Sequence, residues 1–162
     1  MTDIEEFLRE SNAIESEYSD VAFEDAKLAW DYLSQQTKLT VENVLETHRL
    51  LMQHLRPDIA GAFRDCDVFI GGQRKYFISQ TLLKEDLQKI IDLIHQSIIL
   101  SMLREGSCQH AHVFFEEVHP FEDGNGRIGR IIYNWHRKLL GLSVHIIHEG
   151  QEQKEYYRWF RR

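Results

Sequence analysis

The segment from His119 to Arg130 concentrates the side chains of this sequence that can do chemistry. It holds a titratable histidine, the carboxylate of Asp123, two closely spaced glycines and a second arginine, Arg127. Glycines before a helix leave backbone N–H groups free to bind an anion, and arginines three residues apart can grip further phosphates. A carboxylate suits Mg²⁺, and an imidazole with a pKa of ~6.5 suits a general base. The segment therefore predicts nucleotidyl or phosphoryl transfer.

Three other interpretations of this segment compete with that prediction. Residues 124–129 formally match GxGxxG, but dinucleotide binding needs a βαβ unit, and no alternation of strands and helices surrounds them. The spacing of His110, His112 and His119 is not a standard zinc spacing, and the sequence has no CxxC. A purely structural turn would explain the glycines, but hardly the histidine, carboxylate, amide and arginines beside them.

The elements that must position this segment are mostly helices. Apolar residues recur every three or four positions over residues 44–55, 87–98 and 131–140, which is typical of core-facing helices. His48 lies among the apolar positions of the first stretch, and Thr40 is a candidate cap before it. Pro120 disfavours helical backbone at His119, so one helix should end there and the next begin near Gly126. Gly141 is a natural stop for that next helix.

A second kind of element surrounds the diglycine Gly71-Gly72. β-prone residues flank it on both sides, and two glycines supply the positive φ angles of a tight hairpin turn. We expect a lone hairpin over residues 66–78, which must pack on the helices or wait for a partner. The fold expected is mainly α, a compact helical bundle with one β-hairpin, in a single domain over residues 1–162.

Composition restricts the partners. A chain of 162 residues, with 43% hydrophobic and 28% charged residues, is typical of one soluble domain. A formal charge of −7 argues against wrapping nucleic acid, although a local basic site could still hold a small anion. The sequence has no membrane-length apolar stretch, an acidic N-terminus unlike a secretory signal, and only two cysteines. We therefore expect a cytoplasmic protein without nucleic-acid or membrane partners.

The segment 119–130 resembles the signature of the Fic family, His-x-Phe-x-Asp/Glu-Gly-Asn-Gly-Arg-x-x-Arg, and every specified position matches. The resemblance extends over roughly residues 40–160, including the stretch 112–118 before the signature and the lead-in 61–64 to the hairpin. It implies a Fic-type helical bundle whose usual activity is AMP transfer from Mg-ATP to a Tyr, Thr or Ser hydroxyl of a target protein. Because inhibited members of the family often associate, a homo-oligomer is a further expectation.

The same resemblance implies a role for each residue of the signature. His119 would be the general base, and Asp123 would hold Mg²⁺ against the phosphates. Asn125 would position the α-phosphate, Arg127 would meet the β-phosphate and Arg130 the γ-phosphate. Two glycines would offer backbone donors to the nucleotide, Gly124 and Gly126.

Outside the signature, the resemblance implies an adenine pocket and a docking flap. Tyr156 or Tyr157 would line the pocket, although a core aromatic is an equal alternative. The chain ends soon afterwards, so we expect later adenine contacts of the family to be missing or removed. The hairpin would act as a flap that docks the target segment by strand addition. Its docking residues would be Phe69, Ile70, Gly71 and Gly72.

A second resemblance lies within residues 1–20. Residues 11–15 are similar to the family's inhibitory helix, Ser/Thr-x-x-x-Glu-Gly/Asn, in which the glutamate pairs with the last signature arginine and blocks the γ-phosphate position. Carried over, Glu15 would pair with Arg130, while Ser16 replaces the usual Gly or Asn. A capping box or a solvated acidic helix is the alternative, because glutamates crowd this region.

Three other functions stay open beside inhibited AMP transfer. The same site could remove AMP, with Glu15 orienting a water molecule. Phosphoryl transfer, as in the related Doc toxins, is less favoured because those depart from the Gly-Asn-Gly-Arg pattern that is intact here. A non-catalytic module that docks peptides on the hairpin should have lost His119 or Asp123, and neither is lost.

Overall fold

The computed structural model describes residues 1–100 and 104–161, and most of them are helical. The expected mainly α fold with one hairpin is confirmed. The elements in chain order are α1 (Asp3–Ala13), α2 (Asp20–Ser34), α3 (Val41–Met52), β1 (Val68–Ile70), β2 (Gln73–Lys75), α4 (Gln80–Leu100), α5 (Arg104–Val118), α6 (Asn125–Leu139), α7 (Gln151–Tyr156) and a 3-10 turn (Tyr157–Phe160). No helix within these residues is both long and apolar enough to cross a bilayer.

A hydroxyl side chain begins each of the first three helices. Thr40 caps α3 as predicted, since its side chain accepts a hydrogen bond from the backbone N–H of Asn43 at 3.1 Å. Ser19 caps α2 in the same way. Thr2 and Glu5 form a reciprocal capping box at α1. Such caps typically stabilise a helix by about 1 kcal/mol, so these start points are encoded locally.

Helix α6 lies at the centre of the helices and contacts each of α1 to α5. Every residue from Arg127 to Arg137 is buried, so its polar side chains need partners inside the protein. Trp135 donates from Nε1 to the carbonyl of Gln36 at 3.0 Å. The helix ends at Leu139, and the predicted stop at Gly141 has a φ of 71°. The N-terminal turn of α6 is thus fixed by the packing of the whole helix.

The hairpin forms around the predicted turn but is short. Strands β1 and β2 pair antiparallel from Val68↔Lys75 to Ile70↔Gln73. Gly71 and Gly72 have φ angles of 54° and 81°, as a type I′ turn requires. Asp67 secures the base of the hairpin, because its carboxylate accepts hydrogen bonds from the backbone of Phe77 and from the side chain of Arg74. These short strands are therefore held at one end and exposed at the other.

Helices α5 and α6 approach closely at Gly129, which generates a prediction. A Cβ at Gly129 would overlap Oε1 of Glu116 and lie 2.9 Å from Cε1 of His112. Gly129→Ala should therefore destabilise the protein by about 1–3 kcal/mol, as overpacking of a core does. The free energy of unfolding in urea measures this effect.

Gly106→Ala is the matched control, because Gly106 is also helical and, among residues 1–100 and 104–161, nothing outside its own helical backbone lies within 4 Å of an added Cβ. Its substitution should stabilise the protein by roughly 0.5–1 kcal/mol through helix propensity. Equal effects of the two substitutions would contradict the close approach at Gly129.

Candidate active site

The loop between α5 and α6 brings the residues of segment 119–130 together at the N-terminus of α6. Helix α5 ends at Val118 as predicted, and His119 has a left-handed φ of 48°. Helix α6 begins at Asn125, one residue earlier than expected, behind Gly124 with its φ of 80°. A Cβ at Gly124 would also lie 2.8 Å from Sδ of Met52, so glycine is required here. No side chain caps this helix, so its first backbone N–H groups remain suited to an anion.

The side-chain amide of Asn125 is used inside the loop. Its Oδ1 accepts a hydrogen bond from the backbone N–H of Phe121 at 3.0 Å, and its Nδ2 donates to the Phe121 carbonyl at 2.8 Å. Both residues are buried, and the Phe121 ring stacks on His48 with ring centroids 3.8 Å apart. In this structure Asn125 therefore shapes the loop, and its contact with the α-phosphate stays a prediction.

His48, on α3, holds the loop from the other side. Its Nδ1 accepts a hydrogen bond from the backbone N–H of Gly61 at 3.0 Å, and its Nε2 lies 2.9 Å from the carbonyl of Asp123. Because the Gly61 N–H can only donate, the imidazole proton lies on Nε2 and is donated to Asp123. Burial lowers the pKa of His48 to about 4, so the ring is neutral. One neutral imidazole thus joins two loops that are distant in sequence.

Arg64 connects the base of the hairpin to His119. Its side chain is buried, and Nε donates to the carbonyl of His119 at 2.8 Å, while Nη1 donates to the carbonyl of Cys66 at 2.9 Å. The backbone N–H of Arg64 donates to the carbonyl of Pro120 at 3.0 Å. The hairpin and the loop therefore share one rigid support.

The imidazole of His119 is oriented by one of its nitrogens and open at the other. Nδ1 donates to the carbonyl of Glu116 at 3.2 Å, whereas Nε2 has no hydrogen-bond partner within residues 1–100 and 104–161. Burial lowers the pKa of His119 to about 4. The ring is therefore neutral near pH 7, with the lone pair of Nε2 available to a proton, as a general base requires.

Two charged groups beside the first turn of α6 are incompletely paired. The guanidinium of Arg127 is buried, burial lowers its pKa, and its Nε has no partner in the described part of the chain. Its Nη2 lies 3.8 Å from Oδ1 of Asp123, beyond hydrogen-bond distance. The Asp123 side chain is 51% exposed, and its Oδ1 accepts from the backbone N–H of Gly124 at 2.6 Å. A buried donor and an exposed carboxylate therefore flank this helix end.

Arg130, in contrast, is well paired, and most of its partners come from the N-terminal segment. Nε donates to the Ser11 hydroxyl at 2.9 Å, and Nη2 donates to the Ser11 carbonyl and to Oε1 of Glu15, each at 2.8 Å. The predicted ion pair between Glu15 and Arg130 is thus present. Burial would lower the pKa of Arg130, but Tyr156 and Glu15 outweigh burial and raise it.

The carboxylate of Glu15 lies over the first turn of α6. A Cβ added at Gly126 would collide with Oε1 of Glu15 and lie 3.0 Å from Nη1 of Arg130. An anion is favoured there by the helix dipole and the free N–H groups. The next residue, Ser16, has a left-handed φ of 58°, which explains why the family pattern has Gly or Asn at this position. Glu15 thus occupies the place that an anionic ligand would take.

The remaining predicted residues lie around this centre. Tyr156 is buried, and its hydroxyl lies 2.8 Å from Nε2 of His112 and 3.5 Å from Nη1 of Arg130. Tyr157 is exposed. An adenine contact by either tyrosine stays a prediction, and the place of Tyr156 fits the alternative of a core aromatic. On the hairpin, Phe69 is well exposed and both glycines of the turn are exposed, while docking by strand addition stays a prediction.

The match to a known family covers the loop of residues 119–130 and the elements around it, but not the segment that carries Glu15. The sequence matches the Fic/DOC family over residues 38–136, more than half of the chain, from α3 through the hairpin to α6. This chain belongs to the Fic/DOC family. The helical stripes, the hairpin and the loop of residues 119–130 are therefore parts of one Fic unit.

Relatives of this Fic chain include proteins named protein adenylyltransferase Fic. Those of Drosophila persimilis and Drosophila ananassae are 30% and 31% identical over 126 residues, covering 77% of this chain. The alignments cover 24% and 25% of the relatives, so the chain spans about a quarter of their length.

Solved structures support the Fic fold. A Fic domain containing signaling protein from Bacteroides thetaiotaomicron has a TM-score of 0.78 at 19% identity, covering 95% of this chain and 69% of that protein. Fic-1 from C. elegans has a TM-score of 0.79 at 22% identity, covering 96% of this chain and 53% of that chain. At these identities the likeness concerns the fold alone.

Two supports of the Fic loop, His48 and Arg64, were not predicted as functional residues. His48 lies in an apolar helical stripe, where the only signal was a polar residue at a core position. Arg64 belongs to the lead-in to the hairpin, and nothing local indicates that its guanidinium would be buried. A single sequence gives little local indication of contacts between segments that are distant along the chain.

The double role of His48 generates a prediction. His48→Phe keeps a flat ring against Phe121 but leaves the N–H of Gly61 and the carbonyl of Asp123 without their partner. We expect a loss of about 2–4 kcal/mol in the free energy of unfolding, since an unsatisfied buried group costs about 1–3 kcal/mol. Urea denaturation measures this. His110→Phe, on the exposed surface of α5, is the control and should change stability by less than about 0.5 kcal/mol. Similar losses for both variants would show that His48 does not hold the loop.

Proposed function

We propose that this Fic chain transfers AMP from ATP to a hydroxyl side chain of a target protein, and that Glu15 inhibits the transfer. The observation that carries the proposal is the state of the two signature arginines. Arg127 is buried with an unused donor, while Arg130 has its donors taken by Ser11 and Glu15. Two cations three residues apart at a helix N-terminus suit a polyphosphate, and Glu15 closes one end of that site.

The nucleotide would bind along the first turn of α6. Its α- and β-phosphates would lie near the free N–H groups and Arg127, and its γ-phosphate would replace the Glu15 carboxylate at Arg130. Both arginines are positioned by the burial of α6, so little ordering is needed when the phosphates arrive. The adenylyltransferase relatives support ATP as the donor.

The transfer itself needs one proton acceptor and one leaving group. His119 would accept the hydroxyl proton of a Tyr, Thr or Ser side chain at Nε2, while the hydroxyl oxygen attacks the α-phosphorus. The bond from the α-phosphorus to the oxygen that bridges to the β-phosphate breaks, and pyrophosphate leaves. The target keeps an AMP ester, and the protonated imidazole returns its proton to solvent.

Asp123 is the residue that fits Mg²⁺. It offers a hard carboxylate oxygen at the edge of the phosphate site, and Mg²⁺ commonly takes one or two carboxylates together with phosphate oxygens and waters. Among residues 1–100 and 104–161, the one group of three potential metal ligands is Asp65, Cys66 and Glu122, so Asp123 would act without a second protein ligand. When bound, Mg²⁺ would neutralise part of the phosphate charge.

The remaining predictions of the sequence belong to the same proposal. Residues 1–162 would form one domain, and the hairpin would align an extended target segment beside the loop. A cytoplasmic location, self-association and the absence of nucleic-acid and membrane partners stay predictions. Removal of AMP by the same site remains the alternative, with Glu15 orienting water, and it is an outcome of the test below.

Removing Glu15 should release the activity. With Mg²⁺ and α-labelled ATP, Glu15→Gly should label itself or lysate proteins about a hundredfold faster than the wild type. This ratio corresponds to a carboxylate that favours the inhibited state over the nucleotide-competent state by ~3 kcal/mol. Glu15→Gly/His119→Ala should not label. Glu17→Gly is the matched control, because the carboxylate of Glu17 bonds to the backbone of Ser19 and not to Arg130.

The outcomes separate the parts of the proposal. Equal labelling by the wild type and Glu15→Gly would end the inhibition claim and keep the transferase. Label from γ-labelled rather than α-labelled ATP would indicate phosphoryl transfer. No label from either nucleotide, together with loss of AMP from a labelled lysate, would favour AMP removal.

Asp123 should set the dependence on Mg²⁺. In the Glu15→Gly background, Asp123→Asn should raise the Mg²⁺ concentration for half-maximal labelling by at least about tenfold, because a neutral amide is a weaker ligand than a carboxylate. Asp65→Asn is the control, because Asp65 is exposed and belongs to the group formed with Cys66 and Glu122. This substitution should leave the half-maximal Mg²⁺ concentration unchanged. An unaltered Mg²⁺ requirement in Asp123→Asn would remove Asp123 as the metal ligand.

A further inference from the structure

A buried carboxyl group, that of Glu116, lies between α5 and α6 with no assigned role. Its side chain is 12% exposed, and its Oε1 has no hydrogen-bond partner in the described part of the chain. Oε1 packs against Gly129, where an added Cβ would overlap it. An unpartnered buried carboxyl is costly, so its presence calls for an explanation.

The second oxygen of Glu116 faces His119. Oε2 lies 3.8 Å from Nδ1 of His119, and the backbone carbonyl of Glu116 accepts the hydrogen bond of the same nitrogen at 3.2 Å. The carbonyl fixes the proton on Nδ1 and leaves Nε2 free to act as a base. The carboxylate adds a negative charge on the side of the ring that faces away from the reaction.

His119 needs such a charge because its surroundings oppose protonation. Burial, with smaller effects of the cations of Arg64 and Lys75, lowers its pKa to about 4, against the opposing effects of the Glu116 carbonyl and of Glu15. Releasing Glu15 for catalysis removes that help. Glu116 is then the carboxylate with an ion-pair distance to the ring.

We propose that Glu116 is a positioning residue for the AMP transfer, orienting His119 and stabilising the imidazolium that forms when Nε2 accepts the hydroxyl proton. This inference rests on the proposed function. The group that accepts the substrate proton is still His119, and no further proton transfer is needed. The backbone carbonyl of Glu116 holds the ring, and its carboxylate adds the negative charge that the third member of many nucleophile–base arrangements supplies.

The ionisation of Glu116 then decides the pH dependence. Burial raises its pKa to about 7, Arg130 on α6 lowers it, and Glu15 after α1 raises it. Two further titratable groups face it, His112 on α5 and Tyr156 on α7. Below that pH the carboxyl is protonated and neutral, and above it the carboxylate can stabilise the imidazolium. The transfer should therefore become faster as the pH rises through the neutral range, and this dependence should belong to Glu116.

Glu116→Gln separates this role from packing, because glutamine keeps the size and the backbone carbonyl but has no charge. In the Glu15→Gly background we expect kcat for labelling to fall about tenfold or more, the KM for ATP to stay within about twofold, and the rise of rate near neutral pH to disappear. Glu105→Gln, on the exposed side of α5, is the control and should change none of these.

The pH titration of His119 by NMR tests the effect of the Glu116 charge on the ring without any AMP transfer. The Cε1–H resonance of His119, assigned by its loss in His119→Ala, should show a titration step in Glu15→Gly that is absent in Glu15→Gly/Glu116→Gln. Because Glu15 raises the pKa of Glu116, its removal should place this step below pH 7. Unchanged kcat and pH profile in Glu116→Gln, or the same step in both proteins, would overturn the inference. If Glu15→Gly does not label at all, the proposed function fails, and the resonance alone decides whether Glu116 charges His119.

Discussion

The buried cation of Arg130 is the constraint on which the rest of this site depends. A guanidinium does not lose its proton in a protein, so a residue that is 2% exposed must be surrounded by acceptors. Leaving a buried cation unpaired costs free energy, although the Glu15 side chain is 39% exposed and solvent screens part of its attraction to Arg130. Glu15 supplies the anion here, and the γ-phosphate would supply it in the proposed reaction. In the proposed reaction Glu15 and the γ-phosphate would therefore compete for the same cation, and Arg130 without either anion would be buried and unpaired.

The segment that carries Glu15 is also held by residues 147–156. Beyond Arg130, His148 lies 3.0 Å from the carboxylate of Glu6, and the backbone N–H of Glu149 donates to Glu10. Exposed pairs of this kind contribute little one by one, about 0.2–1 kcal/mol. A small apolar cluster covers the same segment, made of Ile14, Ile147 and Tyr156. Release of Glu15 thus requires the apolar contact to open as well as the ion pair.

Local signals allowed much of this structure to be predicted, and long-range packing explains the rest. Caps, the diglycine turn and the stop before Pro120 act within a few residues, so their positions follow from the sequence. The pairing of Glu15 with Arg130 followed from family resemblance, since no local rule joins them. The roles of His48 and Glu116 were not predicted, because each residue contacts an element that only folding brings beside it. The hydrogen bonds of the Asn125 amide to the backbone of Phe121 were likewise not predicted, because they depend on the shape of the folded loop.

The left-handed backbone at Ser16 bears on how firmly the segment that carries Glu15 would be held against Arg130. Glycine and asparagine, the residues of the family pattern, tolerate that conformation, whereas another L-residue is disfavoured by roughly 1–2 kcal/mol. If this strain relaxes when Glu15 leaves Arg130, the fraction of molecules with Glu15 released would be about 5–30-fold higher than with glycine at position 16. The hydroxymethyl group of Ser16 would then raise the basal rate of the proposed AMP transfer. Substitution at this one position would tune that rate in steps, without changing the residues assigned to catalysis.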